Sequence, residues 1–430
     1  MVLAGNWIVI LFTLYPLYKS ARKILCSYYS ILHLCVTVFW MMQVLPILME
    51  MIFGLSDGLS IYTKMYLAMQ DEKVAILYDI FCIIVIFSLY FEGNRFARHH
   101  NILQQIAHSA NNIKIKNGAR LVLFTGMFLV PLFSVILAPE PRIYLKFSYF
   151  YMNDVLPSSI IYLYDVTVMT YVNYIAFGST MILYLIRKRS EYRYNLDIIL
   201  SMVIYTWLDG KRALLIFSLI GILAIDVIKQ NVKIKKIVTF GLIAVFYFII
   251  YVKITGKGEE TNFVTHYFMY YSRMNTVKTA IYSLFDNTSI TQYPGQTIIF
   301  DLLFFIPRRF WSNKPVMFCK YFTTYTMNKD ATDFLAWNLQ VNIWTEFISN
   351  FGMIIGIILS LVLVKAVVNI SEKSDHILVF LLGMVFIMFY FMFGFETLAL
   401  MAYSGWICAL IMVKIISLLR VDRKRRFIIN

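Results

Sequence analysis

Apolar runs of about 17 to 25 residues recur along most of this 430-residue chain, and no other feature limits its fold as strongly. Wound as an α-helix, a run of that length crosses a hydrocarbon core about 30 Å thick. Backbone N–H and C=O groups in lipid have no water to bond to, so the runs predict helices, whose bonds are internal, rather than open strands. Only 15% of residues are charged and 60% are hydrophobic, with a mean hydropathy of +0.70. A soluble chain carries about 25% charged residues. The expectation is an all-α, polytopic integral membrane protein, with one membrane domain over residues 1–430.

The pattern predicts about eleven spans, with a range of about 10–12. They fall at 2–18, within 24–54, at 74–91 and 121–138, within 164–186, and at 196–208, 213–228, 237–252, 347–364, 377–394 and 397–418. The first run has no basic segment before it and no small-residue cleavage site after it, which predicts a retained span rather than a signal peptide. Residues 92–120 are basic and His-rich, with apolar spacing that suits a helix on the membrane surface. The Tyr- and Phe-rich stretch 139–157 suits an interfacial aromatic belt. The remaining long polar stretch, 253–346, is expected to be an extracytoplasmic loop with interfacial helices.

The net charge is +15, from 39 Lys and Arg against 24 Asp and Glu. With no soluble domain to carry a basic face, nucleic acid is excluded as a partner. The distribution sets orientation instead. With the C-terminal tail in the cytoplasm, the cytoplasmic segments hold 23 of the 39 cationic residues within about 75 residues. That density is roughly threefold that of the outer segments, which places 253–346 outside. The five cysteines, Cys26, Cys35, Cys82, Cys319 and Cys408, lack metal-ligand spacing and form no disulfide framework. No Walker loop, Gly-x-Ser-x-Gly elbow, Asp-x-Asp pair or His-rich metal cluster occurs, so nucleotide-dependent and serine-hydrolase chemistry find no support.

Four constellations carry chemistry. Gly210, Lys211 and Arg212 open a span, where unpaired backbone N–H groups and the helix dipole favour an anion such as phosphate; the plain alternative is a hairpin anchored by snorkelling side chains. His266, Tyr270 and Arg273 fall at i, i+4 and i+7, on one stripe of a helix. The histidine can accept a proton near neutral pH, the arginine can hold an anion in its fork, and the tyrosine can stack on a sugar, although a lone histidine is more often structural. The apolar stretch 298–306 is too short to span and ends at Pro307, Arg308 and Arg309, with Trp311, Lys314 and Pro315 beyond. Such a turn would project arginines suited to phosphate oxygens and a ring suited to sugar, or simply bind lipid headgroups. Glu346 stands where the ninth span is expected to begin, as a site carboxylate or as an acid complementing a helix N-terminus.

The stretch from Pro307 to Pro315, the pattern Glu346-x3-Asn350-Phe351-Gly352-x3-Gly356, and Gly210-Lys211-Arg212 together resemble Wzy-type polymerases, which join O-antigen and capsular oligosaccharide repeat units in bacteria. The motifs cover roughly residues 200–365, and the rest is similar in architecture only. The resemblance implies a fold of the lipid-carrier-dependent, GT-C-like class at the outer face of the cytoplasmic membrane. The implied substrates are undecaprenyl-pyrophosphate-linked oligosaccharides, used without sugar nucleotide, metal or other cofactor. It further implies His266 or Glu346 as general base. Arg212, Lys211, Arg273, Arg308, Arg309 and Lys314 would face pyrophosphate, and Trp311 and Tyr270 would face sugar. Such polymerases usually work beside a chain-length regulator. An O-antigen ligase-like enzyme, a lipid-linked oligosaccharide flippase and a membrane acyltransferase stand as alternatives.

Overall fold

The computed structural model describes residues 2–26, 28–54, 60, 62–99, 117–145, 159–187, 196–210, 213–229, 233–255, 272–286, 288–329, 334, 338–374, 376–394 and 397–426. Among them there is no strand, and the protein is all-helical. The helices are α1 Val2–Leu25, α2 Ile31–Phe53, α3 Thr63–Gln70, α4 Glu72–His99, α5 Asn117–Ile136, α6 Pro141–Leu145, α7 Ile160–Ile186, α8 Leu196–Asp209, α9 Ala213–Ile228 and α10 Ile234–Thr255. After the long polar stretch begins come α11 Met274–Ser283, α12 Gln296–Leu302, α13 Phe318–Thr326 and α14 Ile343–Phe351, then α15 Met353–Lys373, α16 Ile377–Phe393 and α17 Thr397–Arg426. Among the described residues, five helices are long and apolar enough to cross a membrane: α2, α4 over Glu72–Ala97, α5, α7 and α15. Shorter apolar helices lie within α9, α16 and α17. This is a multi-pass membrane protein.

The chain divides into two compact units, one of residues 103–260 and one of 1–102 with 261–430. In the first, α7 packs on α5, α8 and α9, and the expected hairpin appears as α8 and α9. Asp226 of α9 is fully buried and is satisfied by the Tyr184 hydroxyl at 2.8 Å and by Lys236. In the larger unit α1 packs on α2 and α4, α15 on α14 and α16, and α16 on α17. The expected surface helix at 92–120 differs in its first part, since residues 92–99 simply continue α4; residues 100–116 lie outside the described residues.

Proline shapes α2. Pro46 has no N–H to give the carbonyl of Met42, four residues back, and the helix widens to an i→i+5 turn over Trp40–Val44. The orphaned Met42 carbonyl accepts the backbone N–H of Arg273 at 3.0 Å. The neighbouring Gln43 carbonyl lies 2.8 Å from the Tyr78 hydroxyl. The break in the ladder thus becomes the docking point for α11.

The ninth span does not begin at 347. The helix ends at Phe351, Gly352 takes φ +79° and ψ 171°, and α15 starts at Met353. That backbone region is open essentially to glycine alone, so the chain can fold α14 back against α15. A Cβ at Gly356 would lie 2.6 Å from the Phe347 carbonyl oxygen, so the two backbones touch there. Trp344 locks the other side of α14: it is fully buried, with Phe39, Phe81 and Phe391 edge-on at centroid distances of 5.7, 5.8 and 5.5 Å. Such aromatic pairs contribute about 0.5–1.5 kcal/mol each beyond area burial.

Candidate functional site

The short helix α12 has two faces, and both matter. Thr297, Phe300 and Asp301 point inward and are buried, while Gln296 and Ile299 line a cleft.

The cleft has a volume of about 540 Å3, within the range of about 300–1,000 Å3 usual for ligand sites. Its polar and charged walls are Gln292, Gln296, Asn313, Arg308 and Lys314, and its rings are Tyr293, Trp311, Tyr321 and Phe334. Pro307 and Pro315 bracket the tight turn that brings Arg308 and Trp311 here, closed by the Phe310 N–H to the Pro307 carbonyl and the Lys314 N–H to the Trp311 carbonyl. Tyr321, on α13, holds Phe334 edge-on at 5.2 Å.

Behind α12, Glu346 of α14 faces Asp301 and Thr297. Neither Glu346 oxygen, nor Asp301 Oδ2, receives a donor in hydrogen-bonding geometry. Burial, then the like charge of Glu346, pushes Asp301 well above the usual carboxylate range. Burial also raises Glu346, opposed by the nearby polar side chains of Thr297 and Asp301, which lie close without hydrogen-bonding geometry. Two buried carboxyl groups this close cannot both be ionised, so the pair holds a proton at neutral pH. Asn350, one turn along α14, ties the elements together. Its Oδ1 accepts the Gly295 N–H at 2.9 Å, and its Nδ2 donates to Thr297 Oγ1 at 2.9 Å and to the Glu346 carbonyl at 2.8 Å.

The sequence candidates scatter around this frame. Arg308, Trp311 and Lys314 line the cleft; Arg309 is exposed on the same turn. Glu346 was expected at a span boundary facing the outer loop, and the break at Gly352 instead encloses it, with no exposed surface, behind α12. Arg273 is also interior, 1% exposed. Its Nε donates to the Met392 carbonyl at 2.5 Å, Nη1 to the Ser272 carbonyl at 3.0 Å and Nη2 to Gln340 Oε1 at 2.7 Å, which clamps α11 to α16 and to the segment before α14. Lys211, Arg212, His266 and Tyr270 lie outside the described residues. The sequence reading passed over Asp301, although a carboxylate inside the apolar stretch 298–306 is costly unless paired. It also passed over Gln296, Asn313, Tyr293 and Tyr321, which carry no spacing signal.

Elsewhere in the loop, Asp286 accepts from Lys64 at 2.7 Å, Tyr325 at 2.8 Å and Thr288 at 2.8 Å. Against the opposing effect of burial, these bonds hold its carboxyl down at about 2. The network fastens the end of α11 to α3 and α13. No family model, curated protein or solved structure matches this chain.

Proposed function

We propose that the protein is a membrane glycosyltransferase that polymerises undecaprenyl-pyrophosphate-linked oligosaccharide repeat units into a surface polysaccharide, an O-antigen or a capsule. In this reading the frame has about eleven spans of GT-C-like type in the bacterial cytoplasmic membrane. The 253–346 stretch lies on the outer face and the C-terminus in the cytoplasm. The supporting observation is the cleft: an aromatic, amide-bearing hollow with arginines on its turn, built from short helices between apolar ones.

The chemistry balances without a nucleotide. An acceptor sugar hydroxyl attacks the anomeric carbon of the donor glycan. The new C–O bond forms as the bond to pyrophosphate breaks, and undecaprenyl pyrophosphate departs with the electron pair. The hydroxyl proton passes to a base, for which His266 is the candidate at the loop; Glu346, enclosed behind α12, supports the site from within. Charge grows on the departing pyrophosphate, where fixed cations stabilise the transition state more than the ground state. On this loop, exposed Arg309 is the candidate for that role.

Deletion of the gene followed by gel separation of surface glycan tests the reading. A polymerase leaves a single repeat unit and no long ladder. Complete loss of the glycan would instead indicate a ligase or flippase, and an unchanged ladder would exclude all three. Orientation is checked by Lys320→Cys in a background lacking native cysteines, which should react with an impermeant reagent from outside intact cells.

A further inference from the structure

Arg308 stands at the mouth of the cleft, yet its Nη1 donates to the Lys314 carbonyl at 2.8 Å and its Nη2 to the Pro315 carbonyl at 3.2 Å. Lys314 Nζ donates to the carbonyls of Phe304 and Ile306 and lies 5.0 Å from the Phe300 ring centroid. Both cations among the described lining residues therefore fasten their own loop. A phosphate is read by donors held open towards it, above all by the parallel N–H pair of an unoccupied guanidinium fork. Here each terminal nitrogen of the fork already gives one of its N–H groups to a backbone carbonyl, which turns the fork towards its own loop.

The other polar residues described on the cleft wall are neutral. Gln292, Gln296 and Asn313 present amides, and Tyr293, Trp311, Tyr321 and Phe334 present rings. Gln296, on the wall of the cleft, is 9% exposed, and its Nε2 has no partner. A buried donor without an acceptor is unfavourable, and a ligand oxygen would relieve it. Among the described residues that line the cleft there is neither a carboxylate nor a histidine. Aromatic faces combined with neutral amides suit a pyranose, which offers C–H groups on its face and hydroxyls on its rim.

We infer that this cleft is a subsite for uncharged sugar residues, and that pyrophosphate is held elsewhere. The inference deepens the glycosyltransferase reading and rests on it for the source of the sugar. It assigns Trp311 and Gln296 to the glycan and makes Arg308 a positioning residue that shapes the turn.

The test uses the full chain in lipid nanodiscs and saturation-transfer NMR. The probes are lactose, maltose and di-N-acetylchitobiose, with inorganic pyrophosphate as competitor. At least one disaccharide should receive saturation, and excess pyrophosphate should not displace it. Trp311→Phe should keep the signal and Trp311→Ala should lose it. Gln296→Leu should weaken binding about tenfold, the loss of one hydrogen bond, at unchanged thermal midpoint. Arg308→Lys, which keeps the charge but not the fork, should perturb the turn without creating a pyrophosphate signal. The inference is overturned if no disaccharide binds, if Trp311→Ala leaves binding intact, or if pyrophosphate displaces the sugar. Sugar binding at Trp311 together with an unchanged surface glycan on deletion would sink the polymerase reading and leave the subsite standing. A lost ladder with no sugar bound at Trp311 would do the reverse.

Discussion

The two faces of α12 place polar residues in opposite circumstances. On the inner face Asp301 meets Glu346 with no cation beside them among the described residues, and the pair relies on a retained proton and on the Asn350 bridge. On the cleft face two cations are tied to carbonyls of their own loop, and neutral amides and rings remain for a ligand. Charge near a site is therefore no guide by itself to what the site binds. The inner face holds the helix in place, and the cleft face is what a ligand would meet.

Mutations should separate the faces, and the largest effect belongs to the inner one. Gly356→Val drives a side chain into the Phe347 carbonyl, 2.6 Å from where a Cβ would lie. Backbone cannot yield as a flexible side chain does, so the loss should reach at least the upper end of the range of about 1–3 kcal/mol for overpacking. Fluorescence-detected size exclusion should show little folded protein; a normal monodisperse peak would mean that α14 is not pressed on α15. Asn350→Ala comes next. It removes three buried hydrogen bonds and should cost about 2–3 kcal/mol, read as a lower thermal midpoint accompanied by loss of sugar binding. A lower midpoint with binding intact would uncouple the two faces.

Glu346→Gln is milder and has a sign. Carboxyl groups raised in the folded state bind protons more tightly there than when unfolded. The native pair therefore loses stability as pH rises above about 4, the unfolded carboxylate value, towards the raised native range. Tyr390 and Tyr403 stand beside the carboxyl groups, and among the described residues no cation there offsets the second charge. The amide variant should show a flatter midpoint between about pH 5 and 8 and exceed the parent at the alkaline end. A parent whose stability climbs over that interval would contradict the shared proton. Asp286→Asn should have the opposite signature, because its lowered value stabilises the fold at neutral pH and that contribution fades as pH falls towards about 2.

The sequence speaks to these features unevenly, for physical reasons. Helix class and the spans carried by α2, α4, α5 and α7 follow from apolar run length, a local property. The hairpin at 196–228 and the turn from Pro307 to Pro315 were readable because glycine and proline punctuate the chain at those places. The pattern from Glu346 to Gly356 was visible as spacing, but its meaning was not. Gly352 reads as part of a continuous apolar run until its left-handed backbone is known, and only that break moves Glu346 from a boundary to the interior. Arg273 illustrates the same limit. Its partners Met42, Gln340 and Met392 are distant in sequence, and the carbonyl that receives its backbone N–H, orphaned by Pro46, lies more than two hundred residues upstream.

Trp311→Ala offers the sharpest single measurement. The ring is half-buried at the cleft and away from the inner face, so folding and membrane level should match the parent by immunoblot. The readout is the length distribution of surface glycan in a null strain carrying the variant. The account predicts a ladder collapsed to one or a few repeat units, with Trp311→Phe restoring longer chains. A full-length ladder from Trp311→Ala at normal protein level would contradict it.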